Sequence, residues 1–156
     1  MKKLNTVLVA LAVGVLAASS SLSFAQAVKG DNVVVAKDPV STKLANGKTY
    51  LELADHQLCM TADPKHPLNG ASGNCSGACL VDAAGASTCM GSCTWVDHDT
   101  DMAFFTWDGQ TSGGWKLVGG SGKWKDASGQ GTWKSTDPTA GNVARNAWEG
   151  TITMKK

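Results

Sequence analysis

The chain has 156 residues, 14 Lys and Arg against 13 Asp and Glu, and a formal net charge of +1. A balance this even supplies no field for nucleic acid or an anionic membrane surface, and the length suits one domain with one core. The 18 Gly and 6 Trp, against a single Tyr, are the compositional features any fold has to accommodate.

Lys2 and Lys3 precede an apolar run from Val7 to Ala18, followed by small residues ending in Ala25-Gln26-Ala27. This is the pattern of a secretory signal cleaved after Ala27, or after Ala25. The run is shorter than the roughly 20 residues a bilayer-spanning helix needs. No Cys stands at the cleavage point to carry a lipid, and no second apolar run of that length follows. Residues 1–27 are therefore expected to be a signal peptide. Residues 28–156 are expected to be one exported domain, periplasmic or extracellular, without a membrane anchor.

Asn32 to Ala36 (NVVVA) reads as a short apolar strand ended by Lys37-Asp38-Pro39. Asn46-Gly47 signals a turn, and Lys48 to Met60 is a long strand candidate. His56, Cys59 and Met60 in that strand, with His66 beyond it, offer imidazole, thiolate and thioether, the soft donors that suit copper. The plainer reading makes Cys59 a small buried hydrophobe. Thr61 to Asn74, with Pro64, Pro67, Gly70 and Gly73, reads as a surface loop.

Cys75, Cys79, Cys89 and Cys93 are arranged symmetrically about Ala84, and Asp82-Ala83-Ala84-Gly85 supplies a turn there. Folding at that turn sets Cys79 opposite Cys89 and Cys75 opposite Cys93. Steps of four residues keep all four sulfurs on one face of a strand ladder. Export favours disulfides, so these two pairs are expected to staple a hairpin. A four-Cys metal knuckle, or a pairing that engages Cys59 and frees another Cys, are the alternatives.

Asp97-His98-Asp99-Thr100-Asp101 has the opening of an EF-hand loop, but Met102 stands where Gly belongs and Asp108 where Glu belongs. A polar turn is expected there, leading into the strand Ala103 to Trp107. Turns at Asp108 to Gly114 and Gly119 to Gly122 bracket a strand over Trp115 to Val118, and Thr132 to Ser135 and Arg145 to Met154 supply two more. Many short strands, Gly-rich turns and no sustained helical period indicate an all-β fold. The expected form is a small antiparallel barrel of about seven or eight strands, with a β-sandwich as the alternative.

Trp-Lys recurs at 115, 124 and 133. With strands placed around it, Gly119 to Gly131 (GGSGKWKDASGQG) resembles the G-G-[ST]-G-x-aromatic-x-x-A-x-G turn and strand of the dirigent and allene oxide cyclase barrels. The resemblance implies an eight-stranded antiparallel barrel with an apolar interior. In it Gly119, Gly120, Ser121 and Gly122 form a turn, Trp124 plugs a barrel end, Ala127 lies beneath it, and Gly129 and Gly131 lead into the next strand. The rival reading of the Trp series is an exposed platform stacking on sugar rings.

Three functions follow from these readings. The first is an exported binding protein that holds a small apolar or amphipathic ligand in the barrel, without a cofactor. Trp95, Trp107, Trp115, Trp133 and Tyr50 would line its site. The second is periplasmic copper handling by His56, Cys59, Met60 and His66. The third is a cyclase- or isomerase-type barrel enzyme, as the resemblance implies, with Tyr50, Glu52, Asp55 and His56 as candidates if their strand faces inward.

Overall fold

The computed structural model describes residues 23–137 and 141–155. Nine strands run in chain order: β1 (Ser23–Ala36), β2 (Val40–Lys43), β3 (Thr49–Thr61), β4 (Ser72–Val81), β5 (Ser87–Val96), β6 (Met102–Asp108), β7 (Ser112–Gly120), β8 (Ser128–Asp137) and β9 (Val143–Lys155). The one helical piece among the described residues is a 3-10 turn, Gly122–Trp124, between β7 and β8. Each strand from β3 to β9 pairs antiparallel with the next, β9 pairs with β1, and β1 pairs with β3. That last ladder closes an eight-stranded barrel and removes its free edges. The sandwich alternative is excluded.

β2 is the extra strand. β1 occupies the Asp55–Thr61 half of β3 and β2 the Thr49–Glu52 half, along the same edge. Pro39 lies in the gap between them, where its missing N–H breaks the ladder at no cost to pairing. The residues 1–22 of the expected signal lie outside the described part. Ser23 to Ala27 begin β1 as five exposed residues, and Val28 is its first buried one.

The hairpin of β4 and β5 places Cys75 against Cys93 and Cys79 against Cys89, and both pairs are disulfide-bonded. All four are buried, so the staples lie on the barrel's inner surface. Gly85 takes φ +87° in the turn joining the strands, a conformation that favours glycine. Between β6 and β7 the register shifts, leaving Val118 as the extra residue of a bulge.

The two ends of the barrel differ. At one end the β3–β4 connection, the β5–β6 turn and the 3-10 turn fold inward, and Trp124, Leu68, Ile152 and Cys59 are almost fully enclosed. Trp124 Nε1 donates to Asp97 Oδ2 at 2.8 Å. The other oxygen, Asp97 Oδ1, accepts the Asp99 and Asp101 amides at 2.9 and 3.1 Å. Lys123 Nζ lies 2.9 Å from Asp97 Oδ2 and also pairs with Asp99. The acidic turn is thus held by a lysine ammonium and an indole. Among the described residues the opposite end carries no such plug, and the interior space lies there.

Candidate functional site: the barrel cavity

A partly open cavity of about 280 Å³ lies inside the barrel beneath the β6–β7 turn. Its walls follow from strand alternation, because only every second residue of each strand faces inward. On β5 to β9 the inward set includes Trp95, Phe105, Trp107, Trp115, Trp133 and Trp148. Their rings meet in tilted and edge-to-face contacts. Centroid separations are 4.7 Å for Trp95–Phe105, 6.1 Å for Phe105–Trp115, 5.9 Å for Trp115–Trp148 and 6.4 Å for Trp107–Trp133. Such geometries align positive ring edges with negative faces.

Glycines make room for this much indole. Gly77 and Gly91 pair across β4 and β5, and a Cβ on either would press into the Trp107 ring. Gly131 and Gly150 pair across β8 and β9 and lie in the same way beneath Trp115. The Trp115 indole N–H, at 3.2 Å, reaches the Thr132 and Glu149 carbonyls beside that pair. Each ring thus covers backbone that no side chain shields.

The facing wall is polar. Asn32 of β1, Asp55 and Gln57 of β3, and Asn146 of β9 line it, with Leu53 and Ala144 beside them. Asn32 Nδ2 donates to Gln57 Oε1 at 2.8 Å. Asn32 Oδ1, Asp55 Oδ1 and the indole nitrogens of Trp95 and Trp148 are buried without a partner in the protein. Burial pushes the Asp55 carboxyl above its usual range, against the opposing effects of a Gln57 hydrogen bond and the His56 charge. Among the described residues Asp55 is the only ionisable side chain in the lining. Wider clefts of about 900 and 600 Å³ adjoin it, one sharing Trp133 and Trp148 and the other Trp107 and Trp115, but neither gathers six aromatic rings around one space.

No protein-family model and no curated protein matches the chain. Among solved structures it superposes on two pterocarpan synthase dirigent proteins, with TM-scores of 0.55 and 0.53. The first is 13% identical over 86% of this chain and 92% of its own. The second is 14% identical over 85% of this chain and 97% of its own. The fold is a dirigent-type barrel.

Within the dirigent-type barrel, Trp95, Trp107, Trp115 and Trp133 fall in the cavity lining, and Trp148 joins them from β9. Trp124 is instead the enclosed plug, with Ala127 buried near it. Tyr50 corrects the expectation. It lies on the outward face of β3 and is exposed, so it does not line the cavity. Glu52 and His56 share that outward face, which leaves Asp55 as the one acid–base candidate inside. The proposed copper set is not brought together either. Period 2 puts Cys59 in the core, while His56 and Met60 alternate away from it. His66 is buried in the β3–β4 connection, where its Nδ1 accepts the Leu68 amide at 3.2 Å. Among the described residues no group of three or more His, Cys, Asp or Glu is placed to hold a metal. Cys59 is a free thiol with no exposed surface, and burial pushes it up to about 12.

Asn32, Gln57 and Asn146 were not evident from the sequence as site residues. Their signal is a polar residue at an inward position of an otherwise apolar strand. In Asn32 to Ala36 this means that Asn32 and Val34 face inward while Val35 is exposed.

Proposed function

We propose that this chain is an exported binding protein that holds one small, largely apolar or amphipathic molecule in the barrel cavity. The observation that carries the reading is the partly open chamber itself, with six aromatic rings on one side and a compact polar wall on the other. Binding sites for small molecules typically combine an apolar lining with a few converging polar groups. Unpartnered atoms in that lining point the same way, because buried polar groups are ordinarily hydrogen-bonded. Export is supported by the N-terminal pattern and by two disulfides, which persist in oxidising compartments. Cleavage after Ala27 would leave the first buried residue of β1 at the new terminus.

The test is native mass spectrometry of protein purified from an exporting host, with titration of the neutral dye N-phenyl-1-naphthylamine followed by Trp emission. A chain starting at Val28, carrying an organic adduct or binding the dye with quenched Trp emission, supports the proposal. A bare chain whose emission ignores the dye overturns the binding role. An uncut N-terminus overturns the export role.

A further inference from the structure

Inside the barrel one carboxylate faces an aromatic wall, and no cation among the described residues shares that space. Among the described residues the cavity lining contains Asp55 and no Lys, Arg or His. The nearest basic side chain on the same strand, His56, lies on the other face of β3. Directly across the ladder from Asp55 are Cys75, locked in a disulfide, and Ala36, neither of which can pair with a charge. Two acceptor oxygens on this wall, Asn32 Oδ1 and Asp55 Oδ1, lack partners. Gln57, between them, accepts from Asn32 through its oxygen and also hydrogen-bonds the Asp55 carboxyl. The wall therefore offers acceptors and one negative charge, and the rings opposite offer π faces together with the unpartnered indole N–H groups of Trp95 and Trp148. A half-buried carboxylate whose nearest basic group, His56, acts on it only from the far face of the strand gains from a cation on its own side.

We propose that the cavity selects a small organic cation, a protonated or quaternary amine carrying an apolar or aromatic body, with its ammonium between Asp55 and the indoles. The claim rests on the binding reading above and narrows it to a ligand class. Aromatic boxes attract ammonium groups through the ring quadrupole, the more so when water is excluded. Asp55 adds a full opposite charge at close range in a poorly solvated site. A bound cation would also stabilise the charged form of Asp55, opposing the burial that pushes its carboxyl up. The remaining aromatic and aliphatic lining receives the ligand's body.

The test uses two probes of nearly one shape, phenyltrimethylammonium and tert-butylbenzene, which differ in charge alone. Both are titrated by calorimetry and Trp emission against the full mature chain, against Asp55→Asn and against Asp55→Glu. At neutral pH the cation is expected to bind about ten- to thirtyfold more tightly than the hydrocarbon. Asp55→Asn should erase that preference, and Asp55→Glu, which restores the charge, should retain most of it. Acidification that protonates Asp55 in the unaltered protein should erase it too, and this arm needs no variant to fold. Equal or tighter binding of tert-butylbenzene, unchanged in Asp55→Asn, overturns the cation claim and leaves the binding barrel standing. If neither probe binds at millimolar concentration, both claims fail.

Discussion

Replacing Trp124 by Phe probes the plugged end of the barrel. The indole is fully enclosed, and its N–H donates to Asp97 Oδ2 at 2.8 Å. Burial alone would raise the Asp97 carboxyl. Hydrogen bonds from Lys123, Trp124 and the Asp99 and Asp101 amides outweigh it and hold the group below the usual range. Phe removes one of these donors and leaves a small void where the larger ring packed. A hydrogen bond to a charged group contributes about 1.5–3 kcal/mol. The lost packing adds roughly 1–2 kcal/mol. A loss of about 3–4 kcal/mol at pH 7 is therefore expected in urea unfolding, with an unchanged denaturant slope. The pH dependence separates the two parts. A carboxyl held low in the folded state contributes stability above its unfolded pKa, and that stability is lost as pH falls through the folded value. Phe weakens this depression, so the gap between the two proteins should narrow as pH drops from neutral to below the usual Asp range. What remains at low pH is the packing part. A loss under about 1 kcal/mol, or a gap that ignores pH, would refute the account of the plug.

Four further outcomes follow from the same structure. Cys59, enclosed and with its thiol pushed up to about 12, should resist iodoacetamide in the folded protein and alkylate only after denaturation, as one added group by mass. Cys75→Ala with Cys93→Ala, or Cys79→Ala with Cys89→Ala, should each cost about 2–4 kcal/mol. The bridge of sequence separation 18 should cost slightly more than that of separation 10, measured by denaturant titration. Burial pushes the His66 imidazole below its usual range, against the opposing charge of Asp63, so the unfolded chain takes up a proton there first. Stability should fall as pH drops below the ordinary histidine range, and His66→Gln should flatten that part of a Tm-against-pH curve. Gly150→Ala sets a Cβ against the Gln130 carbonyl and the Trp115 ring, and should lower stability by about 1–3 kcal/mol with a changed near-UV circular dichroism signal.

The stapled hairpin was legible because its rules are local. Cysteines placed symmetrically about a Gly-containing turn can meet only one way in a two-stranded ladder, and their even spacing keeps them on one face. The Gly-rich turns were legible for a similar reason. β2 was not, since VSTK is short, exposed throughout and shows no alternation. The polar wall was hidden by a long-range fact. Asn32 and Asn146 face each other only because β9 returns to close on β1, and no window of sequence contains that pairing. Trp148 escaped notice for the same reason, flanked by Ala147 and Glu149 in a strand that resembles a surface segment. The separation of His56 and Met60 from Cys59 needed no structure. Period-2 alternation, the rule that paired the cysteines, already sends neighbours on one strand to opposite faces.

The Trp-over-Gly construction has a consequence for how such a chamber could change its capacity. Barrel diameter is set by strand number and stagger, which cannot shift by small steps. Here the free volume is set instead by what stands on the glycine floors, chiefly Trp107 and Trp115. Exchanging one of those rings for a smaller side chain would enlarge the chamber while leaving every strand pairing intact. The floor beneath is already bare, so a differently shaped residue could settle there without displacing a neighbour. Ligand size in this architecture is thus adjustable one residue at a time, with the backbone as a fixed frame.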